Sequence, residues 1–265
     1  MSGDEFFALI VSAIIGIVGW KEWMGGLLLL SSLSRRAVTQ ILGWVMPLFA
    51  GGVMFFVLKR WSAHDVRDSG TYIFFYMVMW FGWTGIWNWV LGGLDLRCRD
   101  DVLERDNDAA GLAIGGGLLG ATFIFAGSNI GDGPGWWVVV FCAGIATTSL
   151  LLFWVIGNLI THVDEAITID RDMAAGWRTA GAFIGSGLIL GNAVAGDWHS
   201  AQQTMTDFAA KGFPVLILWA IAICLDLIGR PTPERPRPNS FLFGILPGLL
   251  FIAAAISVVV LQGPW

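Results

Sequence analysis

Apolar blocks with at most one charge alternate with short polar segments along most of this chain. Each block is about the length a helix needs to cross the hydrocarbon core of a bilayer. Blocks at residues 41–58, 72–91, 109–130, 136–160, 174–195, 213–228 and 241–261 read as helical spans. A further block at the N-terminus, residues 6–20, is short; Lys21 and Glu22 interrupt it before residues 25–33 become apolar again. Trp20 and Trp23 flank those charges, which favours a short span followed by an interfacial or re-entrant piece over one long tilted helix. The pattern therefore predicts an all-α, polytopic transmembrane helical bundle of about eight spans. Pro47 falls inside the second span and is expected to kink it. Pro214 opens the seventh, where a helix tolerates it.

Two stretches, 107–132 and 172–197, superimpose without a gap at a constant step of 65 residues. Ala109, Ala110 and Gly111 fall on Ala174, Ala175 and Gly176. Gly116 and Gly120 fall on Gly181 and Gly185, and Gly131-Asp132 falls on Gly196-Asp197. Each copy opens with a residue suited to capping a helix, Asn107 or Asp172. The glycines then recur at spacings of four, which puts them on one helix face and lets another backbone approach closely. Such contact matters in lipid, where helices gain little from hydrophobic association. The expectation is two parallel helical-hairpin repeats, with spans four and six packed tightly through Gly111, Gly116, Gly120, Gly176, Gly181 and Gly185. The chain divides on this reading into N-terminal helices (1–100), tandem hairpins (101–165 and 166–229) and a proline-rich linker with a last span (230–265).

The run Glu104-Arg105-Asp106-Asn107-Asp108-Ala109-Ala110-Gly111, followed by Gly116 and Gly120, resembles the DUF350 family of bacterial membrane proteins. The run Asp170-Arg171-Asp172-Met173-Ala174-Ala175-Gly176, with Gly181 and Gly185, resembles it too, although Asp172 replaces Asn107 and Met173 replaces Asp108. The resemblance extends over about residues 101 to 229. It implies tandem helical hairpins in a bacterial inner (cytoplasmic) membrane. It supplies no catalytic residues, because the family name itself denotes unknown function.

Composition narrows the classes further. Hydrophobic residues are 56% of the chain and charged residues 13%, more apolar surface than a soluble domain of this size can bury. A net charge of -5 argues against nucleic acid as a partner. Cys98, Cys142 and Cys224 have neither metal-type spacing nor even number, and the acidic start, Asp4 and Glu5, lacks the basic region of a cleavable signal. Arginines before spans four and six and after span seven place those loops on the cytoplasmic side, with Lys59, Arg60 and Arg67 opposing the assignment.

Candidate chemistry is sparse. Asp226 lies inside span seven, where a carboxylate is costly and suggests an ion or proton site. Its blander role is an interfacial pair with Arg230. Arg178, in the second turn of span six, either snorkels to the surface or meets Asp226 or Glu165 inside the bundle. Asn158 and His162, one turn apart and close to Asp164 and Glu165, form either a cation or proton relay or ordinary interfacial polarity. Asp132 and Asp197 are turn formers or, more sharply, a shared cation site. Tyr76, Trp80, Trp83 and Trp87 make an aromatic stripe that packs helices or holds a flat ligand, with Asn88 beside it to bond another helix. His64 and His199 complete no metal motif. No catalytic group, metal or cofactor is expected. The expected partners are the lipid bilayer and further copies of the chain or other membrane subunits. A non-enzymatic subunit or scaffold is the first functional expectation, and a channel or transporter for an ion or small polar solute is the alternative.

Overall fold

The computed structural model describes residues 1–30, 37–229 and 239–263. It contains, in order, α1 (Gly3–Leu30), α2 (Ala37–Arg60), α3 (His64–Arg67), α4 (Gly70–Gly93), α5 (Asp108–Gly127), α6 (Trp136–Thr161), α7 (Val163–Thr168), α8 (Met173–Ala193), α9 (Ala201–Gly212), α10 (Pro214–Ile228) and α11 (Leu246–Gln262). A π-helical turn, Cys98–Glu104, precedes α5, and another, Phe241–Ile245, runs into α11. The described residues contain no β-strand.

Five helices are long and apolar enough to cross a membrane, and a sixth is reached if α9 and α10 count as one span bent by 43°. The count of eight is thus not reproduced. α4 and α8 have the length but not the mean hydropathy, for a physical reason: both are largely enclosed by protein. α8 carries buried Arg178, Ser186 and Asn192, which a lipid-facing helix would not tolerate. At the core, 89% of the residues in the apolar window of α5 are buried, against 28% in that of residues Phe241–Gln262 at the edge.

α1 is one continuous helix, not a short span with a re-entrant piece; residues 31–33 of that block lie outside the described residues. Trp20 and Trp23 are not interfacial anchors. Both are 4% exposed; the Trp20 indole donates to Phe81 O and Thr84 Oγ1 at 3.2 Å, and that of Trp23 to Gly43 O at 2.9 Å. The aromatic stripe of α4 packs inward. Trp80 donates to Thr122 Oγ1 and Trp83 to Thr147 Oγ1, both at 3.1 Å, tying α4 to α5 and α6. Asn88 makes no such bond: its amide nitrogen and oxygen are buried without partners.

The interior is built from close backbone approaches. A Cβ added to Gly120 would lie 2.5 Å from Phe183 O, and one on Gly176 2.7 Å from Ala109 O. Gly116 sits against the backbone of Ala180. α5 and α8 therefore meet through glycines from both sides. Gly181 and Gly185 turn away from α5, toward Gly248 and Phe251 of α11. That second interface repeats the first. Ala109–Gly176, Gly116–Ala180 and Gly120–Phe183 have counterparts in Ala174–Gly244, Gly181–Gly248 and Gly185–Phe251.

The repeat thus has a third copy that a gapless comparison misses. Asn239 Oδ1 accepts from Phe241 N at 2.9 Å and Leu242 N at 3.2 Å, as Asn107 does from Ala109 N and Ala110 N. From cap to cap, Asp172 to Asn239, the step is 67 residues, whereas from Gly176 to Gly244 it is 68. One residue is inserted between cap and packing face, inside the π-helical turn Phe241–Ile245. A π turn accommodates such an insertion without breaking the helix.

Candidate functional site

Arg178 and Asp226 come together in the protein interior. Arg178 projects from α8, three residues past the buried Ala174–Ala175 pair that the Asp172 carboxylate caps. Asp226 lies near the end of α10. The Arg178 Nε donates to Asp226 Oδ1 at 2.6 Å, and Nη2 lies at 2.6 Å from the same oxygen. Nη1 donates to the carbonyl of Phe243 in the π-helical turn before α11. The two side chains are only 3% and 12% exposed. One guanidinium thus joins three helical elements, using the planar fork that suits arginine to paired acceptors. Arg230, the other partner considered for Asp226, lies outside the described residues.

The cavity beside this pair, bounded by Trp154, Gly157 and Trp219 among others, has a volume of about 10 Å³. That is the size of a single water site at most. The pair is enclosed by apolar and aromatic side chains; Trp219 stacks on Phe153 and donates its indole N–H to Ser186 Oγ at 2.9 Å.

Asn158, His162 and Glu165 do not join this site, and none of them lines its cavity. Asn158 Oδ1 accepts from Asp164 N at 3.0 Å. His162 takes a left-handed conformation, φ 47°, that ends α6 and starts α7, and its side chain is exposed. This turn carries Glu165 to the surface, into a shallow cleft with Asp95 and Arg97. Of the two partners considered for Arg178 inside the bundle, the structure thus selects Asp226, and Asn158, His162 and Glu165 form a separate turn.

The caps have further partners. Asn107 is 1% exposed, and its Nδ2 donates to Ile167 O at 2.8 Å, tying the start of α5 to the end of α7. Asp172, lacking a donor, caps α8 alone. Beside Asn107, burial raises the Asp101 carboxyl above its ordinary range, despite Arg97 N and the Arg105 guanidinium at 3.0 and 3.2 Å. Burial likewise pushes the Cys98 thiol up. No three His, Cys, Asp or Glu side chains among the described residues are placed to hold a metal.

The bundle, its glycine-mediated packing and its enclosed ion pair define a polytopic α-helical membrane protein. Residues 60–194 and 133–261 each match the family described as Domain of Unknown Function (DUF350). The chain belongs to the DUF350 family. The matches reach beyond residues 101–229 on both sides, and the second takes in α11, in accord with the third copy of the packing face. No curated protein and no solved structure matches the chain.

Proposed function

We propose that the protein is a non-enzymatic subunit or scaffold of a membrane complex in a bacterial inner membrane. The observation that carries this reading is the closure of the Arg178–Asp226 pair. The charges satisfy each other within a cavity of about 10 Å³, and nothing of solute size fits beside them. A transport site needs polar groups that face a path; these hold helices in place instead. The glycine contacts act in the same direction, since backbones packed this closely have little room to slide. Crosslinking in native membranes followed by blue-native electrophoresis tests the proposal. A defined complex, of copies of this chain or with other subunits, is the expected result, and a lone monomer counts against it.

The alternative, a channel or transporter for an ion or small polar solute, draws on a polar cavity at the end of the bundle that carries Asp132. Solute flux into proteoliposomes that falls when Asp65 and Asp207 of that cavity are changed to Asn would favour it, and absence of flux removes it.

A further inference from the structure

The ends of the repeats opposite the caps converge on a second, polar site. Gly196 N donates to Ile130 O at 3.0 Å, Trp198 N to Asp132 O at 2.8 Å, and Asp132 N to Asp197 Oδ1 at 2.7 Å. Gly131 and Gly196 both have positive φ, 97° and 124°, and pack backbone to backbone. Above this floor is a half-enclosed cavity of about 310 Å³, within the range of small-molecule sites.

Its side-chain lining is acidic. Glu5, Asp65, Asp132, Asp197 and Asp207 border it, and among the described residues no lysine, arginine or histidine side chain does; the amino group of Met1 lies 3.9 Å from Glu5. These residues come from five separate regions, α1, α3, the two repeat ends and α9, so the tertiary fold assembles the cluster. A second feature is independent of the carboxylates. Tyr76 lines the same cavity, is 8% exposed, and its hydroxyl makes no hydrogen bond among the described residues. Beside it Asn129, 6% exposed, spends its Nδ2 on Phe125 O at 2.7 Å. The Tyr76 hydroxyl thus opens onto the cavity with its donor and acceptor free for a molecule bound there.

We propose that this cavity binds an organic polycation of the amine class. The lining is rich in acceptors, so its complement is a ligand rich in N–H donors and positive charge. The carboxylates are spread around the cavity and are not gathered for chelation, since no three of them are placed to hold one metal ion. Spaced ammonium groups match that spread, and the apolar lining residues Val138 and Val139 can meet the methylenes between. The inference does not depend on the subunit reading, because binding is measured without reference to assembly.

The test is calorimetric titration of the full chain, in nanodiscs of neutral phosphatidylcholine at low ionic strength, with spermidine. Saturable binding at one site is expected. Asp65→Asn with Asp207→Asn should weaken it about tenfold. Tyr76→Phe should weaken it severalfold while leaving the melting temperature of the unliganded protein unchanged, since the lost hydroxyl has no protein partner. Asp68→Asn with Asp170→Asn, which neutralises exposed acids outside the cavity, should leave binding intact. No saturable heat, equal loss in that second pair, or magnesium chloride binding as tightly as spermidine would overturn the proposal.

Discussion

The backbone N–H of Asp132 donates to the carboxylate of Asp197 at 2.7 Å, so equivalent residues of the first two repeats are bonded directly to each other. The bond is asymmetric: Asp132 contributes its backbone and Asp197 its side chain. Asp197→Ala should therefore cost about 1 kcal/mol, the usual worth of such a bond. Asp197→Asn, which keeps an oxygen at the same place, should cost less, and Asp132→Ala should leave the bond standing. Thermal unfolding of the three purified variants checks the order.

The glycine interfaces give a sharper contrast. At Gly120 and Gly176 a side chain would run into backbone, which cannot rotate away. Gly120→Val and Gly176→Val should each destabilise the bundle by about 2 kcal/mol or more. A Cβ on Gly144 of α6 meets nothing within 4 Å. Gly144→Ala should be neutral or stabilise by up to about 1 kcal/mol through helix propensity. Equal losses at all three positions, measured by melting in one detergent, would contradict this account of the packing.

Arg178 and Asp226 should behave as a unit. Removing either partner alone, as in Arg178→Met or Asp226→Leu, leaves a buried charge and should cost about 3–5 kcal/mol. The double variant should recover much of that, because no charge is then stranded, although Phe243 O still loses its donor. A double-mutant cycle on unfolding free energies measures the coupling, and simple additivity would show that the pair is not an energetic unit.

Asp101 carries a pH dependence whose sign follows from its environment. Burial raises its carboxyl above 3.8 in the folded protein. The folded state thus holds this proton more tightly than the unfolded chain. The associated stability is complete below the unfolded value and is lost as pH rises through the raised one. Asp101→Asn keeps the acceptor for Arg97 N without the charge. The variant should therefore gain on the native protein between about pH 4 and about pH 7. Hydrogen exchange of the amides around Leu103 at the two pH values reads the difference, and a native protein that gains instead would reverse the assignment.

Much of this architecture could be read directly from the chain. Long apolar blocks can satisfy their backbone polar groups in lipid only as helices, and the fixed step of 65 residues exposed two hairpins and their caps. The third copy was hidden because a one-residue π insertion after Asn239 breaks the register that a gapless comparison needs. α9 was hidden because an amphipathic helix, Ala201–Gly212, has the composition of a polar loop. Of the candidate site, Arg178 and Asp226 stood out as charges within apolar helices, but their pairing spans 48 residues and needs α8, α10 and the π turn to converge.

The sequence alone determined an all-helical membrane protein, its duplicated unit and the small residues on its packing faces, because these are properties of local composition and spacing. Only the tertiary structure decided which helix each glycine face meets, that the buried charges neutralise each other, and that acids from five regions share one cavity. Those outcomes depend on distances between residues far apart in the chain, and such distances are set by packing.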